Sequence, residues 1–362
     1  MTDESYIQLA LEIAKKGMGN VSPNPLVGCV ITKNNRIISA GFHEKFGEAH
    51  AEINAISTAK ENVEGATLYI NLEPCSHTGK TPPCVTKIIE SKIKRVVIGT
   101  LDMNPLVSGK GIKKLKAAGV EVKVGVLEKE CVDLNKFFFK YITQKLPYVT
   151  LKAAQTLDGK IADKNGESKW ITSVSSRRLV HSLRAKYDAV LVGTGTIEKD
   201  DPNLTVRFTE GRNPKRIVID TNLKLKINHK IFIHNQDKKL IILTSKKSID
   251  KKSKIKKLLS MGVQVLYIKE NQDGRLNLKD ALKQLAGLQI ASVLIEGGSR
   301  VFTSFIHADL FDNIFLFVAP KILGCGLPVI QGLGIKSIKK AMKVKIENVD
   351  RIGDDLLVEL IR

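Results

Sequence analysis

Three residues of zinc-binding type stand in the order His50, Cys75 and Cys84, and a carboxylate, Glu52, follows the histidine by two positions. Imidazole and thiolate are favoured zinc donors, and three of them leave the fourth tetrahedral position to water, as in catalytic sites. The metal lowers the pKa of that water toward about 7 and yields a hydroxide nucleophile at neutral pH. Glu52 can then take the water's proton and pass it to a leaving nitrogen. A closed structural zinc site would need a fourth ligand, for which His77 is the near candidate. A catalytic zinc is the favoured reading, because the His-x-Glu, the Pro74-Cys75 pair and the Pro83-Cys84 pair occur in the required order.

The elements around these residues read as alternating strands and helices. Tyr6, Leu9, Ala10, Ile13 and Ala14 keep helical spacing, with Thr2 or Asp3 placed to cap. Apolar segments 27–31 and 37–41 flank the turn Lys33-Asn34-Asn35 and predict a hairpin. Helical period returns over 49–60, so His50 and Glu52 lie at a helix start; a strand over 67–72 then runs into Glu73-Pro74-Cys75. Cys84 opens a further helix whose inner face is Val85, Ile88 and Ile89. Two positive helix ends would thus face the thiolates and the hydroxide. A strand over 95–99, a helix over 111–118 and a strand over 120–124 complete an α/β layered domain.

The pattern breaks at Gln144-Lys145-Leu146-Pro147, which divides the chain into domains 1–145 and 146–362. The second series predicts strands near 148–153, 189–193, 216–220, 240–244, 263–267, 292–296, 313–318 and 356–361. Helices are expected near 175–186, 251–259, 278–287 and 300–307. This is a second α/β unit with its own core, and the 362 residues suit two domains. It lacks the Gly-x-Gly-x-x-Gly of a Rossmann fold after its first strand. Instead Glu296-Gly297-Gly298 stands between a strand and a helix, where the backbone can approach a phosphate or simply make a tight packing turn.

The composition, 43% hydrophobic and 26% charged, is that of a soluble globular protein. The net charge of +21 raises the question of nucleic acid. Its lysines cluster in solvated stretches such as 246–257, and aromatic residues are only 5% of the chain, so an anionic small substrate plus compositional bias is favoured over a nucleic-acid groove. Cys29, Cys131 and Cys325 read as isolated buried thiols, with no disulfide framework, which fits a reducing cytoplasm. No signal peptide is expected at the N-terminus, and no apolar run reaches the roughly 18 residues needed to span a membrane.

Eight residues separate Cys75 from Cys84, whereas nucleobase deaminases of the zinc type carry Cys-x-x-Cys. With Pro23-Asn24-Pro25-Leu26-Val27-Gly28, His50-Ala51-Glu52 and the run from Glu73-Pro74-Cys75 to Pro83-Cys84, the first half resembles the bifunctional deaminase/reductase family of riboflavin biosynthesis. The second half resembles the reductase domain of that family through 151–162, 168–172, Arg184-Ala185, Gly193-Thr194-Gly195-Thr196, 200–207 and Glu296-Gly297-Gly298. The resemblance implies a cytidine-deaminase-like three-layer α/β/α domain followed by a dihydrofolate-reductase-like α/β domain. It also implies one Zn2+ per chain, NADPH, a small phosphorylated pyrimidine as substrate, and a homo-oligomer assembled through the reductase half.

The resemblance further implies that Asn24, His43, His77 and Lys80 line the deaminase pocket. For His43 an ordinary surface histidine, and for Asn24 a turn-shaping role, are the bland alternatives. Asp102 and Asn104 match the family pattern, while Met103 stands where proline is expected. In the reductase half the family implies NADPH on Ala154, Trp170, Thr196, Asp200, Asn222 and the turn from Gly298. Lys224 beside Asn222 reads better as a solvated lysine. Substrate would be held by Ser168, Arg184, Leu204, Arg207 and Glu296, the arginines suiting a sugar phosphate. Lys152, Asp200 and Glu296 are the candidate general acids for reduction. A nucleic-acid base deaminase and a zinc-stabilised nucleic-acid-binding module are the rival readings, and Glu52 separates them: only a deaminase needs it.

Overall fold

The computed structural model describes residues 1–76, 82–105 and 107–362, which form two compact units, Met1–Leu146 and Pro147–Arg362. In the first unit the order is α1 (Asp3–Ala14), β1 (Gly28–Lys33), β2 (Arg36–Phe42), α2 (Ala51–Ser57), β3 (Thr67–Leu72) and α3 (Cys84–Glu90). Then come β4 (Arg95–Thr100), α4 (Lys110–Ala117), β5 (Glu121–Val124), α5 (Glu128–Leu134) and α6 (Lys136–Gln144). The strands make one sheet in the order β2-β1-β3-β4-β5, antiparallel among β2, β1 and β3 and parallel from β3 to β5.

The two-residue period of the strands sorts this sheet into two cores. Cys29 and Ile31, Leu68 and Ile70, and Val96 and Ile98 point to one face, where Ala51 and Ala55 of α2, Val85 and Ile88 of α3 and Leu115 of α4 cover them. Val30, Tyr69 and Val97 point to the other face, under Ile7, Ala10 and Leu11 of α1 and Cys131 of α5. Three layers result, and both faces are dry, which is why the strands read as continuous apolar runs. Two glycines permit the close helix packing: a Cβ on Gly28 would lie 2.1 Å from the Ala10 carbonyl oxygen, and one on Gly41 2.5 Å from the Ala55 nitrogen.

The second unit holds β6 (Tyr148–Thr156), β7 (Lys160–Ala162), α7 (Val174–Lys186), β8 (Ala189–Gly193), α8 (Thr194–Asp200), β9 (Lys215–Ile219), α9 (Lys230–Ile233) and β10 (Leu240–Ser245). It continues with α10 (Lys252–Ser260), β11 (Gln264–Ile268), α11 (Leu278–Gly287), β12 (Ser292–Ile295), α12 (Ser299–His307), β13 (Asn313–Ala319), β14 (Leu327–Pro328), β15 (Lys345–Ile352) and β16 (Asp355–Ile361). Nine strands form one sheet, β11-β10-β9-β8-β12-β6-β13-β16-β15, parallel as far as β13 and antiparallel beyond it. β14 and β7 pair separately. The carboxyl ends of the neighbouring strands β8, β12 and β6 carry Thr196, Glu296-Gly298 and Ala154, the position where open α/β sheets bind ligands.

Three expectations need correcting. Cys325 is exposed, because it lies in the surface segment after β13 rather than in the core. Strand β15 was not expected: it is an edge strand whose residues are almost all exposed, so no hydrophobic period marks it. The lysines of 246–257 are not all merely solvated. Lys251 Nζ donates to the Asn222 carbonyl, and Lys254 Nζ to those of Leu223 and Leu225 at 2.8 and 2.6 Å, bracing the turn after β9. Among the described residues, no helix is long and apolar enough to cross a membrane.

The start of the first unit is fastened electrostatically. The Thr2 hydroxyl caps α1 by accepting from the Ser5 N–H, and the Asp3 carboxylate accepts two hydrogen bonds from Arg95 on β4, at 2.9 and 3.0 Å, one from Lys123 and one from the Tyr69 hydroxyl. Its pairing with Arg95 holds the Asp3 carboxyl well below the usual carboxylate range. That contribution is complete above the unfolded aspartate value, roughly 3.9, and is lost as pH falls through the depressed folded value. Asp3→Asn should therefore cost about 1.5–3 kcal/mol in urea denaturation of the first unit at pH 7. It should also flatten the acid side of the stability curve; an unchanged curve would remove this role from Asp3.

Candidate active sites

In the first unit three elements deliver the donors. His50 is the N-cap of α2, Cys75 lies in the segment that leaves β3, and Cys84 is the first residue of α3. Their ligating atoms all lie within 4.8 Å of one another, with His50 Nδ1 3.2 Å from Cys84 Sγ and 3.6 Å from Cys75 Sγ. One imidazole and two thiols at this spacing are a donor set that fits zinc, and among the described residues no fourth such group joins it. The Cys84 N–H, at the start of α3, donates to Cys75 Sγ at 3.3 Å, so a helix end supports thiolate character there. The hydrogen bond with Cys84 draws the Cys75 thiol down to about 4, while that bond and burial hold Cys84 high.

Glu52, on the first turn of α2, is buried beside this cluster, and burial pushes its carboxyl up to about 7, with the Cys75 charge adding to the rise. A carboxyl near 7 can both accept and return a proton at neutral pH. Both it and His50 face a cavity of about 310 Å³, whose wall includes Asn24, His43, Asp102 and Asn104. That is the size of a small-ligand site. Burial raises Asp102 to about 6.

His43 is not a surface residue: it is 2% exposed, at the end of β2, and lies edge-on to His50 with ring centroids 5.3 Å apart. Its Nδ1 lies 3.0 Å from the Ala49 carbonyl, which can only accept, so this nitrogen carries the proton. Burial lowers the His43 pKa, so the ring is neutral and Nε2 accepts from Asn24 Nδ2 at 3.2 Å. The Asn24 amide is thereby oriented by a chain of two hydrogen bonds.

Two further asparagines hold the Asn24 segment and were not singled out by sequence reasoning. Asn71, fully buried on β3, accepts from the Gly28 N–H at 2.8 Å and donates to the Leu26 carbonyl at 2.9 Å. Asn135 accepts from the Leu26 N–H at 2.7 Å and donates to the same carbonyl. The only signal was a lone polar residue inside an apolar strand. His77 and Lys80, also expected at this pocket, lie outside the described residues.

In the second unit the structure brings several expected residues together in pairs. Arg184 of α7 forms a bidentate pair with Glu296, at 2.6 and 2.8 Å, and donates to the Thr205 carbonyl at 3.2 Å. Gly298 N–H donates to Thr196 Oγ1 at 3.3 Å, and Ser168 Oγ to Asp200 Oδ1 at 3.3 Å. Burial would raise the Glu296 carboxyl, but Arg184, joined by Lys152 and His181, outweighs it and keeps the pKa low. Desolvation lowers Lys152, whose ammonium sits 5.6 Å over the Phe317 ring. Arg207 is exposed, its guanidinium 5.9 Å over Phe208, and its backbone N–H donates to His181 Nδ1 at 3.1 Å.

Trp170 is 63% exposed, so it is no core residue, and the Arg177 guanidinium stacks 4.2 Å from its ring centroid. Leu204 is buried, at a positive φ of 54°. Ala154 is half-buried on β6. Asn222 and Lys224 are exposed in the turn after β9, away from any pairing with the other expected residues. Gly298 is the N-cap of α12, and the Ser299 hydroxyl beside it is buried without a partner among the described residues. A Cβ on Gly297 would meet the Val301 side chain at 2.6 Å, so glycine is required at this turn. An orphaned hydroxyl beside free helix N–H groups is a donor set that fits a phosphorylated cofactor.

Comparison with known proteins assigns a family to each unit. Residues 1–100 match the cytidine and deoxycytidylate deaminase zinc-binding region, and residues 147–358 match the RibD C-terminal domain. The chain is 50% identical to the riboflavin biosynthesis protein RibD of Aquifex aeolicus over 358 residues, covering 98% of this chain and 97% of that one. A crystal structure of a diaminohydroxyphosphoribosylaminopyrimidine deaminase/5-amino-6-(5-phosphoribosylamino)uracil reductase from Thermotoga maritima superposes with a TM-score of 0.88, at 43% identity, over 99% and 98% of the two chains. RibD of Acinetobacter baumannii superposes with a TM-score of 0.89 at 36% identity, over 99% and 98%. The α/β class is shared, a cytidine-deaminase-like domain followed by a dihydrofolate-reductase-like one, and a reductase domain of this kind implies NADPH. The chain belongs to the RibD family, the bifunctional deaminase/reductases of riboflavin biosynthesis.

Proposed function

We propose that the unit 1–145 deaminates 2,5-diamino-6-(5-phosphoribosylamino)pyrimidin-4-one and that the unit 146–362 reduces the ribosyl group of the product to a ribityl chain. The observation that carries the first half is the convergence of His50, Cys75 and Cys84 beside buried Glu52 at one small cavity. His50, Cys75 and Cys84 would hold the zinc, which when bound makes a water acidic near neutral pH. Glu52 takes the proton of the water that adds to the amino-bearing ring carbon. It returns that proton to the amino group, which departs as ammonia. Asn24 and His43, with Asp102 and Asn104 lining the same cavity, orient the ring; His77 and Lys80 would complete the pocket.

In the second unit NADPH, when bound, would supply hydride for the sugar C1′, whose bond to the ring oxygen breaks as that oxygen takes a proton. Thr196, Asp200 and the Gly298 turn, with the free Ser299 hydroxyl, bind the cofactor, and Ala154, Trp170 and Asn222 complete its contacts. Ser168, Leu204 and Arg207 hold the substrate. Arg184 and Glu296 act there as a locked pair: with Arg184 already bidentate on Glu296, Arg207 is the arginine left to meet the phosphate. A homo-oligomer through this unit is supported by its apolar surface. Ile338 is 89% and Ile346 62% exposed, the latter on the free edge strand β15.

Supplying the diaminopyrimidinone phosphate with NADPH and following ammonia and NADPH in parallel tests the whole reading. Both should change in equal amounts, and ammonia without NADPH consumption would overturn the assignment of the second unit. Glu52→Gln should lower ammonia release at least about 100-fold while leaving zinc bound and the reduction of already deaminated substrate intact. A variant that still deaminates at the wild-type rate removes Glu52 from the mechanism. By sedimentation the full chain should run as a dimer or larger, and Ile346→Asp should shift it toward monomer. A wild-type monomer at micromolar concentration would end the oligomer reading.

A further inference from the structure

Glu73 is buried, 3% exposed, and stands two residues before Cys75. Its backbone N–H still belongs to the sheet, donating to the Thr100 carbonyl at 3.0 Å where β3 meets β4. Glu73 borders the cavity of the first unit, and its side chain accepts four backbone N–H groups. Oε2 takes those of Asp102 at 3.3 Å and Gly109 at 2.9 Å; Oε1 takes those of Gly111 at 3.0 Å and Ile112 at 3.4 Å. One carboxylate therefore gathers the segment that leaves β4 and the first turn of α4 into a single fixed arrangement. Charge-assisted bonds to a helix start are the stronger kind, and the helix end favours the negative charge.

Two other contacts show that this attachment is close and specific. A Cβ on Gly111 would lie 2.3 Å from the Pro74 carbonyl oxygen, so α4 touches the backbone immediately before Cys75. Lys114, one turn further along α4, donates to the Ser76 carbonyl at 2.8 Å, immediately after Cys75. The segment so held carries part of the cavity wall. The Asp102 carboxylate accepts the Asn104 N–H at 2.8 Å, and the Asn104 carbonyl accepts from Val107 and Ser108 at 2.8 and 2.9 Å. Asp102, Asn104 and Val107 all line the cavity that Asn24 and His43 also line.

We infer that Glu73 is a positioning residue for deamination: it fixes the Asp102–Asn104 wall of the substrate cavity relative to the Cys75 segment, and so sets how tightly the pyrimidine is held. The inference rests on the deaminase reading of the first unit. It assigns Glu73 no contact with substrate or metal. Because Glu73 acts on the wall, its loss should weaken substrate binding more than the chemical step. A purely structural role would instead lower the active fraction of chains and leave KM alone.

The full-length chain carrying Glu73→Gln keeps one acceptor oxygen but turns an amide NH2 toward two of the four N–H donors. KM for the diaminopyrimidinone phosphate should rise on the order of 10- to 100-fold, the range seen when groups that orient a site are removed, with kcat per zinc-loaded chain changing much less. Zinc content should stay at one per chain, which also reports that the first unit is folded. Gly111→Ala, whose new Cβ would push α4 off the Pro74 carbonyl and crowd Glu73 Oε1 at 3.1 Å, should raise KM in the same way. Wild-type ammonia release checks the deaminase reading separately: its absence would sink that reading and this inference with it, whereas normal wild-type release with an unaltered Glu73→Gln would sink this inference alone. KM within twofold of wild type in Glu73→Gln, or a fall in kcat that merely follows lost zinc, would overturn the inference.

Discussion

Zinc demands donor atoms a few ångströms apart, and this chain draws them from three segments that are 34 residues apart at the extremes. No local structure can satisfy that demand. It is met because α2 and α3 lie on the same face of one sheet, over Ile31, Leu68, Ile70 and Ile98, so that their first turns reach the end of β3 together. The apolar layer beneath is therefore part of the site. Gly41, which admits Ala55 at backbone distance, belongs to the same requirement, because it sets the height of α2 above the sheet. The same packing bears on Glu52: it is buried on α2 beside the cavity, and desolvation raises its pKa before any neighbour is counted.

The polar parts of the first unit follow a related logic. Irregular segments line the cavity, and each has backbone groups that must be satisfied away from water. The chain answers with side chains from the regular elements: Asn71 from β3 and Asn135 at the junction of α5 and α6 hold the Leu26 segment, and Glu73 at the end of β3 holds the segment after β4. Loops built in this way are as fixed as the strands that supply their partners. A pocket that must distinguish one pyrimidine from another needs walls of that kind.

How much of this could be read from the sequence depended on whether a residue carries its chemistry alone or in company. His50, Glu52, Cys75 and Cys84 were legible because their types and order are already a reaction. The helices and buried strands were legible because burial imposes period on them. β15 was not, since an exposed edge strand has no buried face to mark it. Asn71 looks like a single polar interruption of an apolar strand and Asn135 like an ordinary polar residue between helices, and what they bind lies 43 and 109 residues away. His43 could be taken for a surface residue because its burial comes from neighbours distant in sequence, not from its own strand. The pairing of Arg184 with Glu296, 112 residues apart, was likewise hidden, although both residues were named separately.

That pairing bears on the charge of the second site. Arg184 and Lys152 are two cations near one carboxylate, Glu296, which influences both. His181 stands close to the same group but is held down to about 4, first by burial and then by Arg184 and Arg207. Its Nδ1 accepts the Arg207 N–H, so protonation there would break that bond. A neutral His181 keeps the site from gathering a further positive charge, and leaves an excess of one cation over one anion before Arg207 is counted. Buried charge of that sign is costly unless a ligand neutralises it. A negatively charged ligand beside Arg184 and Lys152 would offset that cost.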